Sequence, residues 1–385
     1  MHNITKKTDF KVLVSLFAVE AIILIVMLFV AHFSVNGSVG HTNLHSEFSG
    51  SMHNICTNVL ENSLGGKGVS GFSSLYKENT VENAPSVNEE MCKFYTFNLS
   101  DDGITSNMLR AKKNTQMSGI SLNTATNTVI APAKSDFALG KFKVHNDYVR
   151  EALDLEEILA KPLVIEPMDN SSILIYHVHA SEGYCITDSD KYNLRSHTIV
   201  GEEHNVVAAG NILQNAITSR TGIKVLHDKT LFPEGLESSV SYNNAAKKLD
   251  EIYAENKNIK LQVDVHRNAA EDGNKKYGPT VEANGVKYAQ ISFVIGLDWD
   301  PVTGDRNDSV NPYWEDNFKL CMLMIEKLEE KVPGICRRIE LRRNPYNQNY
   351  AENSLLTEIG FAGNLSTEAD RTAELFGEVL SEIYG

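Results

Sequence analysis

The chain has 385 residues, a formal net charge of −14 and a hydrophobic fraction of 42%. That length allows two domains, or one catalytic domain with accessory parts, and the apolar fraction suffices for a buried core. The acidic balance argues against nucleic acid as a partner, because the phosphate backbone would be repelled.

The first feature along the chain is an apolar segment long enough to cross a bilayer. Residues 12–33 contain VLVSLFAVEAIILIVMLFVA, about the length of a transmembrane helix. Three lysines precede it and no Lys or Arg follows until Lys67, which predicts that residues 1–11 are cytoplasmic and the remainder is outside. A cleaved signal peptide is the alternative, although its apolar core would be shorter. We therefore expect a single-pass membrane protein.

The next segment, residues 34–170, is weakly patterned and dominated by Ser, Asn, Thr and Gly. This composition predicts an extracytoplasmic stalk or accessory region without a single compact fold. Within it, MCKFYTFNLS is interpreted as a strand and HNDYVREALDLEEILA as a short helix.

From about residue 171 the pattern becomes regular. SILIYHVH is a continuous apolar run, typical of a strand covered on both faces. Helical and strand patterns then alternate, which predicts a three-layer α/β fold with a mostly parallel sheet flanked by helices. We expect residues 171–385 to be the catalytic domain. The further predicted strands are IKVLHD, IKLQVDVHR, VKYAQISFVIG, IELRR and SLLTEIG.

Polar side chains follow three of these strands. Because functional groups collect at the carboxyl ends of strands in such sheets, we expect them to meet at one edge. They are His177, His179 and Glu182 after the first strand, Asp264, His266 and Arg267 on a central strand, and Glu358 on the last strand.

This set of residues suits a catalytic zinc ion. Zinc takes His and Glu ligands and keeps one position for water, so His179, Glu182 and His266 are the predicted ligands. Glu358 is the predicted catalytic residue, a free carboxylate that takes and returns a proton. The sequence therefore predicts a zinc hydrolase.

Several assignments stay open at this stage. His177 could replace His179 as a ligand, or contact the substrate, because the two share a strand face if the strand is still regular there. Glu202 or Glu203 could replace Glu182, although acidic residues at a helix start also stabilise the helix dipole. His227 is interpreted as an ordinary surface or core histidine. No P-loop, dinucleotide fingerprint or nucleophile-elbow motif occurs.

The same segments resemble a known family. YHVHASEGY resembles the Y-H-T-H-x-x-E signature of the stage II sporulation protein P family, and VDVHRNA resembles its D-L-H-R-D segment. The resemblance covers about residues 165–385. Further segments in the family's order are HDKT, SYNNAAKKLDE, PYWEDNFKLCMLMIEKLEEKVPGICRRI and YNQNYAENSLLTEIG.

The resemblance implies a membrane-anchored cell-wall hydrolase that acts at the sporulation septum during engulfment, with stage II sporulation proteins D and M. Such proteins resemble zinc-dependent N-acetylmuramoyl-L-alanine amidases, and TEIGFAGN fits their last-strand motif with Glu358 in the catalytic place. The implied substrate is peptidoglycan, cleaved at the amide between N-acetylmuramic acid and L-alanine of the stem peptide. The resemblance also implies action on peptide crosslinks. His177 or Arg267 would stabilise the oxyanion or bind a stem-peptide carboxylate, and Asn347 and Gln348 would contact substrate or shape the turn.

The sequence departs from the family pattern at Val178, where Thr is usual, and at Asn268, which replaces a carboxylate. If that carboxylate orients His266, metal affinity would be lower here. Asp264 is not expected to take over this role, because it lies two residues upstream. A zinc carboxypeptidase and a non-catalytic scaffold of a wall-remodelling complex are the alternative functions.

Overall fold

A computed structural model of the chain describes residues 91–100, 103–111, 130–131, 135–139, 142–147, 153–190, 197–233, 238–269, 277–300, 302–303 and 305–385. The predicted cytoplasmic segment 1–11, the anchor 12–33 and the first part of the predicted stalk lie outside these ranges. None of the helices in the described ranges has both the length and the hydropathy of a membrane span.

The described residues form fifteen strands and five helices. The strands are β1 (Cys92–Ser100), β2 (Gly103–Ala111), β3 (Ile130–Ala131), β4 (Ser135–Leu139), β5 (Phe142–Asn146), β6 (Leu153–Asp154), β7 (Leu163–Ile165), β8 (Ile173–Tyr176), β9 (Leu226–His227), β10 (Leu261–Asn268), β11 (Thr280–Ala283), β12 (Val286–Ala289), β13 (Ile291–Gly296), β14 (Cys336–Arg342) and β15 (Asn353–Phe361). The helices are α1 (Leu155–Ala160), α2 (Val206–Thr221), α3 (Ser238–Glu255), α4 (Trp314–Lys331) and α5 (Ser366–Tyr384).

The central element is an eight-stranded sheet in the order β4-β5-β14-β13-β15-β10-β8-β9. Five of its seven neighbouring pairs run parallel, and β4–β5 and β13–β15 run antiparallel. The expected mixture of strands and helices is confirmed, and the sheet is mixed. Because β15, β10, β8 and β9 are mutually parallel, their carboxyl ends share one edge of the sheet.

Strand β8 shows why its sequence is apolar throughout. Ile173 and Ile175 pack into the large core that also contains Ala209 and Leu213 of α2. Leu174 and Tyr176 belong to a second cluster, with Ala245 and Leu249 of α3. Successive side chains of a strand point to opposite faces, so helices cover both faces here, as the unbroken apolar run predicts.

The fold begins well before the expected boundary at residue 170. The described fold belongs to a compact unit that runs from Glu89 to Gly385. Strands β4 and β5 extend the large sheet, and β1, β2 and β7 form a separate three-stranded sheet. The segment from β1 to β7 also carries core residues, among them Leu139, Val144, Leu163 and Ile165. Within residues 34–170, where the sequence analysis expects a stalk or accessory region, the described part therefore contains strands and core residues of the same compact unit.

Lys93 shows how closely this early segment is tied to the end of the chain. Its side chain is 9% exposed, and Nζ donates to the carbonyl oxygens of Ile383 at 2.8 Å and Gly385 at 2.7 Å. The last carbonyls of a helix have no partner within the helix and carry partial negative charge. A cation from β1 therefore caps α5.

Candidate active site

The three strand ends that carry the predicted site residues do meet. The register pairs Asp264 of β10 with Tyr176, the last residue of β8, and His266 with Glu358 of β15. The chain leaves β8 at this edge, and the ring of His179 lies edge-on to that of His266 with centroids 5.4 Å apart. The parallel topology therefore gathers His179, Glu182, Asp264, His266 and Glu358 into one cluster.

Glu182 reaches this cluster through a tight turn. Its backbone N–H donates to the carbonyl of His179 at 3.1 Å, which folds the chain back over the sheet edge. Its Oε2 lies 3.3 Å from Nδ1 of His266 and accepts the backbone N–H of Arg267 at 3.0 Å. Burial alone would raise the pKa of Glu182, but Arg267 and His266 outweigh it and lower the pKa to about 2. The group is thus a carboxylate, the form that binds a cation.

Arg267 holds the Glu182 turn in place. Its guanidinium is buried, with Nε donating to Gly183 O and Nη2 to His197 O, both at 3.1 Å. Nη1 lies 3.8 Å from Glu182 Oε1. The predicted role in contacting substrate or oxyanion does not fit this geometry, because the guanidinium binds the protein's own carbonyls.

Asp264 lies against His266, contrary to the expectation from sequence distance. Its Oδ1 is 2.9 Å from His266 Nε2, off the direction of a hydrogen bond, and accepts the backbone N–H of Val178 at 3.1 Å. Residues two apart on a strand share a face, so the two-residue spacing brings the side chains together. Burial lowers the pKa of His266, but Asp264 and Glu182 outweigh it and raise the pKa well above its usual value.

Glu358 lies on β15, an interior strand of the sheet with β10 on one side and β13 on the other. It is in register with His266 of β10 on one side and with Ser292 of β13 on the other. Its Oε2 is enclosed and has no hydrogen-bond partner among the described residues. Burial raises its pKa to about 7, with a contribution from Glu182, while His266 opposes the shift. A carboxyl group with such a pKa exchanges protons readily near neutral pH.

The backbone beyond Glu358 explains the rest of the last-strand motif. Gly360 has φ +69, and a Cβ there would lie 2.9 Å from Ala289 Cβ. Asn364 Oδ1 accepts the backbone N–H of Phe361 at 2.9 Å, which closes the turn after β15. A left-handed residue in so tight a place favours glycine. These two motif residues shape the strand end that carries Glu358.

Tyr242, on α3, is a member of the cluster to which the sequence analysis assigned no role. Its ring lies within 15° of the His266 plane at a centroid distance of 6.4 Å, and edge-on to His179 at 6.1 Å. Burial and the nearby carboxylates, led by Asp264 and Glu358, raise its pKa well above the usual value. The sequence signals Tyr242 only through its place in SYNNAAKKLDE. Its position beside the histidines depends on how α3 packs against β10, which a local sequence pattern does not reveal.

His177 points away from the cluster, so it does not replace His179 as a ligand. Its Nδ1 donates to the carbonyl of Val265 at 2.9 Å, and its Nε2 is 2.9 Å from Nε2 of His227. Because Nδ1 carries the proton, Nε2 of His177 accepts from His227. Burial lowers the pKa of His177 to about 4 and that of His227 to about 3, so the pair is neutral at pH 7.

The two residues of the predicted substrate turn contact the protein itself. Asn347 Nδ2 donates to Tyr242 O at 3.0 Å. Gln348 is 1% exposed and bridges β13, accepting from Gly296 N at 2.6 Å and donating to Val294 O at 2.8 Å. Their positions support the structural alternative.

The alternative carboxylates lie on the surface. Glu202 is exposed, and its Oε2 accepts from Lys229 at 2.6 Å and Asn211 at 3.1 Å. Glu203 is also exposed. Of the three glutamates considered, the structure brings Glu182 to His266.

The side chains of His179, Glu182 and His266 have the donor atoms and the pairwise spacing of a zinc site. Two ligands of one tetrahedral zinc ion are separated by ~3.3 Å, and the ring centroids of two histidine ligands by about 5 Å. The distances of 3.3 Å from His266 to Glu182 and 5.4 Å between the His179 and His266 rings are close to these values. Within the described ranges, however, no three His, Cys, Asp or Glu side chains already converge tightly enough to hold an ion. The donor types and pairwise spacing fit zinc, and complete convergence requires side-chain adjustment.

Comparisons with solved structures give low similarity. The CwlD amidase from Clostridioides difficile, solved in complex with the GerS lipoprotein, is 16% identical with a TM-score of 0.33, covering 55% of this chain and 98% of that chain. The N-acetylmuramoyl-L-alanine amidase AmiC2 of Nostoc punctiforme is 11% identical with a TM-score of 0.30, covering 56% and 97% respectively. Scores this low carry no weight for a shared fold or activity.

The fold and the cluster define an α/β protein that gathers its reactive side chains at the carboxyl ends of parallel strands. The family model for stage II sporulation protein P matches residues 76–381, and the chain belongs to that family. Stage II sporulation protein P of Bacillus subtilis (strain 168) is 29% identical over 231 residues, which cover 56% of this chain and 52% of the relative. The matched part thus spans about half the length of that curated relative.

Proposed function

We propose that this protein is a peptidoglycan hydrolase that cleaves the amide between N-acetylmuramic acid and L-alanine of the stem peptide during sporulation. The observation that carries the proposal is the cluster itself: Glu358, with a pKa of about 7, beside His266 and within the same edge as Glu182. Family membership supports the cell-wall substrate.

The chain's own residues divide into three tasks. We assign His179, Glu182 and His266 to holding a zinc ion, which when bound would lower the pKa of a water molecule and polarise the scissile carbonyl. Glu358 takes a proton from the attacking water and returns it to the leaving amine of L-alanine. Asp264 orients His266, and Arg267 fixes the Glu182 turn through its carbonyl contacts.

The proposed setting is the outer face of a membrane. An anchor at residues 12–33 would place the catalytic fold outside the cytoplasm, next to the wall, with stage II sporulation proteins D and M as proposed partners. Single cysteines introduced at exposed positions such as Lys257 would then react with a membrane-impermeant thiol reagent in intact cells. Protection of those cysteines until the cells are lysed would contradict this topology.

Product analysis tests the proposed bond. The full chain, in mild detergent with zinc, is incubated with isolated peptidoglycan, and soluble products are identified by mass spectrometry. An amidase releases stem peptides with a free L-alanine amino terminus and leaves the glycan intact. A carboxypeptidase instead removes terminal residues from peptides that stay on the glycan, and that product pattern would replace the proposed function with its nearest alternative.

A soluble muramoyl peptide serves as a second substrate in the same experiment. It removes the requirement that another protein first open the wall. Absence of cleavage of both substrates by the folded, zinc-supplied protein would favour the scaffold alternative. A Glu358→Gln chain is the matched control, because it retains the shape of the side chain without the ionisable group.

A further inference from the structure

We propose that Tyr242 is a further catalytic residue, whose phenolic O–H donates a hydrogen bond to the oxygen of the scissile amide as negative charge develops there. This inference rests on the proposed amidase function. The side chain is partly exposed and lies against the rings of His179 and His266, on the side of the cluster formed by α3. A substrate carbonyl that enters the site formed by these histidines would therefore lie next to the phenol.

The hydroxyl of Tyr242 differs from those of three other tyrosines of the fold, and from that of Tyr176, which also lacks a partner in the described part of the chain but is fully enclosed and cannot meet a ligand. Tyr253 donates to Gln262 at 2.8 Å, Tyr350 to Asp250 at 2.8 Å, and Tyr184 to the carbonyl of Ile359 at 2.8 Å. Among the described residues, none accepts a hydrogen bond from the Tyr242 hydroxyl. Tyrosine hydroxyls within a protein usually find a partner, so a free one beside reactive groups is available to a ligand.

A strained turn holds the ring of Tyr242 in place. Tyr346 and Asn347 both have positive φ, +50 and +57, an uncommon conformation for two consecutive residues other than glycine. Tyr346 packs edge-on to the Tyr242 ring with centroids 5.0 Å apart, and Asn347 Nδ2 donates to the backbone carbonyl of Tyr242 at 3.0 Å. Such strain persists where the surroundings impose it and is common at functional sites. Two contacts from one turn thus fix both the ring and the backbone of Tyr242.

The other candidate donors are already engaged. The guanidinium of Arg267 donates to the carbonyls of Gly183 and His197, and His177 is hydrogen-bonded to His227. The remaining charged groups of the cluster include the carboxylates of Glu182, Asp264 and Glu358, which cannot stabilise a negative oxygen. Of the described groups compared, Tyr242 is the neutral donor that lies against both histidine rings and has a free hydroxyl.

The chemical step accounts for each proton and electron pair. The water oxygen bonds to the amide carbon, the carbonyl π pair moves to oxygen, and Glu358 takes the water proton. Tyr242 hydrogen-bonds that oxygen without giving up its own proton. When the pair returns, the carbon–nitrogen bond breaks and Glu358 delivers the proton to the L-alanine nitrogen.

Tyr242→Phe tests the assignment because it removes one oxygen and keeps the ring that packs on both histidines. Tyr350→Phe is the matched control: it removes a hydroxyl that binds α3 through Ala246 and Asp250, away from the histidine rings. The full chain and both variants are assayed on a soluble muramoyl peptide with zinc supplied. Loss of one oxyanion donor typically lowers kcat by roughly 100- to 1,000-fold. We expect a fall of this size for Tyr242→Phe with a nearly unchanged KM, and no comparable fall for Tyr350→Phe.

A second readout does not depend on turnover. A phosphinate analogue of the tetrahedral intermediate should bind Tyr242→Phe more weakly by a factor similar to the loss of kcat/KM, because such analogues resemble the transition state. Equal kinetics and equal analogue affinity for wild type and Tyr242→Phe would overturn the inference while leaving the amidase function intact. An inactive wild-type chain would overturn the proposed function, and with it the reaction assigned to Tyr242.

Discussion

Glu358 is an ionisable residue whose enclosed Oε2 has no hydrogen-bond partner among the described residues. Burying such a group in its charged form lowers the free energy of unfolding. Its pKa of about 7 lies above the ordinary value of 4.5. Between these two pH values the folded state binds more protons than the unfolded state. The free energy of unfolding contributed by this group therefore falls as pH rises from 4.5 to 7.

We accordingly predict that Glu358→Gln abolishes cleavage yet stabilises the metal-free protein above pH 7. The expected gain in the free energy of unfolding is on the order of 1–3 kcal/mol at pH 8 and is much smaller at pH 4.5. Denaturant unfolding of the chelator-treated chain at both pH values measures it. A variant that is inactive and also less stable at pH 8 would indicate that Glu358 is held for structure.

Asp264 offers a second prediction at the residue scale. Its Oδ1 lies 2.9 Å from His266 Nε2, which leaves Nδ1 facing Glu182. Carboxylates that orient a metal-binding histidine typically contribute 10- to 100-fold to metal affinity. We expect Asp264→Asn to weaken zinc binding by roughly that factor in competition with a chromophoric chelator.

The matched variant is Asn268→Asp, which restores the carboxylate found in the family pattern. If Asp264 already performs the orienting role, this change leaves zinc affinity nearly unaltered. A large gain in affinity from Asn268→Asp, with none lost in Asp264→Asn, would return the role to position 268. Asp264 is not an obvious partner of His266 from its distance along the chain, but the strand's period of two places the two side chains on the same face.

At the scale of elements, the strands that carry the site were predictable because they are buried on both faces. The run ILIY in β8 is apolar throughout, whereas LQVDVHR in β10 alternates apolar and polar residues and is nevertheless buried along its length. The polar groups at the ends of these strands mark the functional edge. The early strands were missed for the opposite reason. In β5, FKVHN alternates between buried and more exposed side chains over only five residues. So short an alternation is hard to recognise as a strand within a segment of weak hydrophobic pattern.

The contact between β1 and α5 yields an element-scale prediction. Replacing Lys93 by Met removes a buried cation that caps the carbonyls of Ile383 and Gly385. We expect a loss of about 1–2 kcal/mol in the free energy of unfolding, measured by denaturant titration, with the proposed amidase activity retained below the transition. Lys257→Met is the control, because this lysine is exposed and should leave stability unchanged. Equal stability of the two variants would contradict the capping role.

At the scale of the whole molecule, the position of the domain boundary is open to a direct test. Residues 89–385 contain every described strand and helix, whereas residues 171–385 lack β5, which pairs with β14, and several core side chains. We predict that a chain starting at residue 89 unfolds cooperatively, and that one starting at residue 171 aggregates or lacks a cooperative transition. A well-folded, monomeric 171–385 fragment would restore the original boundary.

The sequence could predict much of the candidate site, because parallel strands bring their carboxyl ends to one edge of the sheet. It could not predict Tyr242 or the separation of His177 from His179. The former depends on how α3 packs over β10, and the latter on where β8 ends, at Tyr176. Both are decided by packing between elements that are distant in sequence or by the exact point at which a strand stops.

The central claim, a zinc amidase site built on His266, is tested most directly by returning zinc to the chelator-stripped full chain. Bound zinc and release of free peptide from a soluble muramoyl peptide are measured together. We predict that peptide release is absent without metal and rises in proportion to bound zinc until one ion per chain is bound. A His266→Ala chain should show neither. Full activity after complete removal of metal, or an active and zinc-loaded His266→Ala protein, would contradict the claim.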